Sequence, residues 1–190
     1  MKQVFARSLL ILTLGLLAVG ASGETQTAAR ETAIPFELLD HLIVVQCRIN
    51  DAPEPYNFIL DTGGLTVIDK ALADELKLKQ MGPQAKIDTL RVGDCAVDRV
   101  FVFTGFDLQP LRDTYGIDVS GIIGSDLLED YIVTIDYAAR RLTLSTDMAS
   151  LAAEKKSSGA GYLLKFTKHP INHAPMIKCT LDGGIDMEAM

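Results

Sequence analysis

Cysteine, histidine and positive charge are all scarce in this sequence. The three cysteines, Cys47, Cys95 and Cys179, have no zinc-knuckle spacing, and an odd number cannot all pair within one chain. Spacing does not choose which two would join, or whether any do. The three histidines offer no better metal site. His169 and His173 stand four apart, but Pro170 between them opposes the helix that would bring both to one face. Neither a metal nor any other cofactor is expected. Basic residues number 18 against 25 acidic ones, a net charge of −7, which argues against nucleic acid and anionic membrane surfaces as partners. No apolar run reaches the roughly 20 residues that a comfortable membrane span takes. No helical pattern is long enough to cover a parallel sheet.

What the sequence does contain begins with "MKQVFARSLLILTLGLLAVGASGETQ". Lys2 and Arg7 precede an apolar stretch from Leu9 to Val19, and small residues follow, which is the layout of a secretory signal peptide over residues 1–23. Cleavage is expected after Gly20 or Gly23. No cysteine follows the stretch closely enough for a lipoprotein anchor. The protein is therefore expected to be exported, to the periplasm or outside the cell. Losing 1–23 removes two basic residues and no acid, leaving 16 against 25, a net of −9. Residues 24–33 are polar and read as a flexible segment.

From Ile34 the text turns to strands. Residues 41–61 read as a hairpin about the turn-rich "NDAPEP", and 86–103 as two strands about Gly93-Asp94. Residues 131–145 read as a third hairpin, turning at Tyr137–Arg140. A short helix is expected over 69–79, capped by Asp69, and a helical turn after Gly124 with Ser125 as its cap. Between them, 104–120 reads as a long loop. Residues 147–161 have the small, polar composition of a linker, and strand-like text resumes after 162. The expectation is a mostly β domain with two short helices, closed into a barrel because closure hides the sheet edges.

One stretch points to chemistry. In "NFILDTGGLTVID" an apolar run ends on Asp61, and Thr62, Gly63 and Gly64 follow at once. A carboxylate at the end of a buried strand is costly to desolvate and is a candidate for function. The glycines permit a tight turn and a close approach. A second run, Ile122-Ile123-Gly124, again ends on glycine ahead of a helical turn.

The text "FILDTGGLTVIDKALADELKL" followed by "GIIGSDLLEDYIVTIDYAARRLTL" resembles the retropepsin-like aspartic peptidases, in particular bacterial ones carrying an export signal. The resemblance covers about residues 34–146, one lobe of that fold, a closed barrel of the acid-protease type. It implies an aspartic endopeptidase acting on polypeptide, with Asp61 as catalytic acid. Thr62 would hydrogen-bond across a two-fold or pseudo-two-fold axis, Gly63 would allow the turn, and Ile122, Ile123 and Gly124 would support the loop from beneath. Two carboxylates held close keep one proton between them: the ionised one activates water and the protonated one donates to the scissile carbonyl. Phe58, Ile59, Leu60 and Ile122 would wall the site from water. The sequence departs from the family in two places. Gly64 stands where Ala or Ser is usual, and the flap region, 79–88, is short and holds one glycine.

The mechanism needs a second aspartate, from a homodimer partner or a second lobe. An echo favours the second lobe: His41 stands six residues before Cys47, and His173 six before Cys179. Asp61 lies 14 after Cys47, and the equivalent of that place after Cys179 would be position 193. Residues 162–190 thus read as the truncated start of a second lobe. The alternatives are a catalytically silent binding or assembly module of the same fold, and a plain strand–turn with a solvated Asp61.

Overall fold

Strands and turns fall largely where the period-two text places them. The computed structural model describes residues 32–146 and 164–190. The readings for 1–23, for most of 24–33 and for the 147–161 linker lie outside the described residues. The first described part runs β1 (Thr32–Pro35), β2 (Glu37–Leu39), β3 (Leu42–Ile49), β4 (Tyr56–Leu60), β5 (Val67–Asp69), α1 (Lys70–Glu75), β6 (Lys79–Met81), β7 (Gln84–Val92), β8 (Cys95–Phe106), α2 (Gln109–Tyr115), β9 (Val119–Ile123), α3 (Ser125–Leu128), β10 (Ile132–Asp136) and β11 (Arg141–Ser145). The second part holds β12 (Thr167–Lys168), β13 (Pro175–Leu181) and β14 (Ile185–Ala189), which form a sheet of their own.

Six strands close a barrel in the order β3-β4-β9-β5-β8-β7. Closure comes from β7 pairing back onto β3, with Cys47 opposite Val92 and Ile49 opposite Leu90. The ring has no open edge, as expected of a small β domain. β2 and β6 flank it, and β1, β11 and β10 make a separate three-stranded sheet. The protein is mostly β, and its interior is filled by alternating side chains: Cys47 and Ile49 from β3, Ile87 and Leu90 from β7, Val102 from β8, Ile123 from β9.

The central pair, β4 and β9, is parallel and buried on both faces. Phe58 and Leu60 point into the barrel core, while Ile59 packs outside it with Val44, Leu108 and Val119. This explains why Phe58-Ile59-Leu60 is an unbroken apolar run and not an alternating one. Phe58 is fully buried, and its ring lies where a side chain on Gly121 would have to go.

The structure corrects the sequence expectations in four places. The described residues contain three helices, not two: α2 occupies much of the stretch read as a loop. It covers the outer face of β4 and β9 through Leu108 and Leu111. Residues Thr32 and Ala33, assigned to the flexible segment, already lie in β1, opposite Leu144 and Thr143. The helix expected over 69–79 stops at Glu75. Lys77 turns left-handed (φ 52°) so that Leu78 can enter the core and β6 can begin. Ser125 does not cap α3; Gly124 holds that position, without a side-chain bond.

Candidate active site

Asp61 follows the last residue of β4. Its N–H donates to the Ile123 carbonyl at 2.9 Å, which extends the β4–β9 ladder one step into the bend. The chain then turns: Oδ1 of Asp61 accepts the Gly63 N–H at 2.9 Å, and the Gly64 N–H points back to the Asp61 carbonyl at 3.4 Å. A Cβ on Gly64 would come within 2.6 Å of Asp61 Oδ2. Glycine at 64, where the family resemblance leads one to expect Ala or Ser, thus leaves room for the carboxylate to lie back over its own loop.

The bend is braced from behind. Gly124 packs directly onto the backbone of Leu65, Thr66 and Gly64, where any side chain would collide. The Gly124 N–H donates to Thr66 Oγ1 at 3.0 Å, and that hydroxyl donates in turn to Asp126 Oδ1 at 2.7 Å. Asp126 Oδ1 also accepts the Thr66 N–H at 2.8 Å. The Ser125 N–H and hydroxyl both reach the Gly64 carbonyl, each at 3.0 Å. Ile122 and Ile123 lie opposite Ile59 and Leu60, so the Ile-Ile-Gly text is the neighbouring strand of the one that carries Asp61. Thr66, Ser125 and Asp126 as braces were not found from sequence. The only signal was Thr66 buried among apolar neighbours in the text and an acid in the first turn after Gly124.

The walls expected around Asp61 are only partly there. Phe58, Ile59 and Leu60 are buried, but they sit beneath the bend, and Asp61 and Thr62 are both exposed. Asp61 borders a recess of about 170 Å³ lined by His41, Leu42, Ile43, Leu60, Thr62, Ile135 and Tyr137. Among the described residues, no second carboxylate shares a hydrogen bond with it. A larger recess of about 380 Å³, with Arg48 and Arg91 in its lining, contains none of the loop residues. The flap region is small: β6 pairs with β7 over three residues and turns at Gly82, whose φ is 66°. All three cysteines are free, and no three metal-ligating side chains cluster among the described residues. No helix among these residues is long and apolar enough to cross a membrane.

A second acid, Asp69, is buried and fully engaged. Its Oδ1 caps α1 through the Ala71 N–H at 2.8 Å, as expected of an N-cap. Its Oδ2 accepts the Leu108 N–H at 3.1 Å and Arg112 Nη2 at 2.8 Å, so one carboxylate ties α1 to α2. Burial alone would raise its pKa. The Arg112 hydrogen bond, the two backbone N–H groups and the guanidinium charge outweigh that and hold it below the usual value. A depressed pKa means stability that is present above the unfolded-state value of about 3.9 and lost as pH falls through the folded one. Asp69→Asn is expected to cost about 2 kcal/mol at pH 7, because it takes the buried carboxylate from the half-buried Arg112 and leaves it, among the described residues, only the exposed Asp118, 3.6 Å away, as a charge partner. The gap in melting temperature between wild type and variant should narrow as the pH is lowered from 6 to 3; a gap independent of pH would reject the ion-pair account.

No family model and no curated protein matches the chain. Among solved structures, an aspartic proteinase from Irpex lacteus is similar in fold, with 16% identity and a TM-score of 0.40. The similarity covers 68% of this chain and 50% of that one, so the chain spans about half that protein's length.

Proposed function

We propose that this chain is one lobe of an aspartic endopeptidase, in which Asp61 pairs with a second aspartate to activate water for peptide-bond hydrolysis. The observation that carries the reading is the construction of the Asp61 bend. A carboxylate follows a strand whose last three residues are buried, its loop is pinned by Gly63 N–H in front, and Gly124, Ser125 and Asp126 hold it from behind. A solvated turn acid needs no such bracing, whereas an acid that must meet a partner carboxylate within a few tenths of an ångström does.

The mechanism follows from the pair. With one proton shared between two carboxylates, the ionised member takes a proton from a bound water and the protonated member donates to the carbonyl oxygen as the tetrahedral intermediate forms. The dyad titrates as a unit. The exposure of Asp61 and Thr62 in the single chain leaves the face on which such a partner would dock. Two sources can supply it: a second copy of the chain, or a second lobe. The second lobe draws support from β13 and β14, which form a hairpin as β3 and β4 do. His173 and His41 stand just before the respective first strands, and Cys179 and Cys47 lie within them. The substrate would be polypeptide, and the compartment outside the cytoplasm.

A silent binding module of the same fold is the second reading, in which the exposed Asp61–Thr62 face serves recognition alone. Assaying the chain against an unfolded protein at mildly acidic pH over a wide range of enzyme concentration separates the readings. If two copies share the site, cleavage per chain rises with concentration and tracks dimer formation in sedimentation. Absence of cleavage at every concentration, with dimer present, would favour the module.

A further inference from the structure

The turn 169–174, far along the chain from the bend, grips it. Asn172 Nδ2 donates to the Gly63 carbonyl at 2.7 Å, across 109 residues of sequence. The orientation of that amide is set by the Ala174 N–H, which donates to Asn172 Oδ1 at 3.3 Å. The Asn172 carbonyl lies 2.5 Å from Ser125 Oγ, the same hydroxyl that stands 3.0 Å from the Gly64 carbonyl. One residue thus holds the Gly63 carbonyl by its side chain, and its own carbonyl competes with that of Gly64 for the single Ser125 hydroxyl proton, while the Ser125 N–H holds the Gly64 carbonyl at 3.0 Å. The turn is itself fastened: the His169 N–H donates to the Ala174 carbonyl at 2.8 Å, the His173 N–H to the His169 carbonyl at 3.0 Å, and Ala174 is fully buried. Glu129, just past α3, draws it down through Lys168 Nζ at 3.0 Å and His173 Nδ1 at 2.6 Å.

We infer that Asn172 is a positioning residue for Asp61, an inference that rests on Asp61 being the catalytic acid. Gly63 and Gly64 are the two most flexible links in the bend. The Ser125 N–H fixes the Gly64 carbonyl, and the Asn172 amide fixes that of Gly63, so that two successive peptide planes are held only while Asn172 is in place. The Gly63 N–H that holds Asp61 Oδ1 belongs to the same residue. Without the grip the acid samples orientations away from its partner, and a displacement of about 1 Å at a reacting group costs on the order of a hundredfold in rate.

The test uses the full chain and two variants. Asn172→Ala should lower kcat on a quenched fluorescent peptide roughly ten- to a hundredfold, with KM within about twofold. Asn172→Asp keeps the shape and the acceptor but loses the donor while ionised. Protonated, below a pH of about 4, its carboxyl can donate to Gly63 again. Its activity relative to wild type should therefore recover as the pH is lowered from 6 towards 3.5, which loss of packing alone would not produce. Hydrogen exchange decides independently of turnover. Amides of 61–66 should exchange about tenfold faster in Asn172→Ala, with β7 and β8 unchanged. Unaltered exchange at 61–66 overturns the inference, as does an unchanged kcat in an active enzyme or a loss of activity that only follows the melting temperature. If wild type is silent on every substrate, the peptidase reading fails and the exchange result alone judges whether Asn172 holds the bend.

Discussion

Asp61→Asn is expected to reduce cleavage of an unfolded protein by about 10³-fold or more while moving the melting temperature by no more than about 2 °C. The two halves of this expectation come from different atoms. The fold half rests on the backbone: the Asp61 N–H to the Ile123 carbonyl and the Gly64 N–H to the Asp61 carbonyl are untouched by the substitution. The amide oxygen can take over the Gly63 N–H from Oδ1. Because the side chain is exposed in the single chain, no buried charge is lost, and changes at such positions stay within about 0.5 kcal/mol. The activity half rests on the proton. An amide can neither accept the proton of the attacking water nor share one with a partner carboxylate, so the dyad's chemistry has no substitute. Measuring turnover and thermal unfolding on the same preparation checks both halves. Cleavage within about threefold of wild type would remove Asp61 from the mechanism. Equal silence of wild type and variant, with both binding the same partner, would make the fold a recognition module.

The legible part of this structure was the part written in local pattern. Alternation marked β3, β7, β8, β10 and β11, and the turn residues between them were in the text. The Asp61 and Ile122–Gly124 segments were each visible, and the structure places them side by side, β4 against β9, with Asp61 bonded to Ile123. What stayed hidden was long-range. α2 was missed because four of its seven residues are polar and its apolar neighbours, Leu108 and Leu111, matter only against β4 and β9. Its punctuation was nonetheless present: Pro110 in the first turn, and Gly116 just past the end with φ 65°. The braces of the bend were invisible for a similar reason. Thr66 meets Asp126 across 60 residues, and Asn172 meets Gly63 across 109. A single hydroxyl or amide leaves no periodicity behind. The exposure of Asp61 was misjudged because the apolar run before it lies under the bend and does not surround it.

Gly124→Ala is expected to be among the most damaging small substitutions in the lobe, costing about 3 kcal/mol and lowering the melting temperature by roughly 10 °C. The backbone angle does not demand glycine, since φ is −96° and any residue adopts it. Space does: the new methyl would run into backbone atoms of Leu65, Thr66 and Gly64. Backbone cannot rotate aside as a side-chain tip can. Relief would require β9 to part from the bend, which stretches the Gly124 N–H to Thr66 bond and the Ser125 N–H to Gly64 bond together. The same displacement carries the acid with it, because Asp61 hangs from Ile123. Activity should therefore fall even at temperatures where the variant is folded. Gly116→Ala is the control. There φ is 65° and nothing lies within 4 Å of a new Cβ, so only the left-handed backbone is penalised, at about 1 kcal/mol. Cleavage by that variant should match wild type below its melting point. Were the two substitutions to cost the same, close packing of Gly124 against the bend could not be what holds Asp61 in place, and the brace would have to be the hydrogen bonds of Thr66 and Ser125 alone.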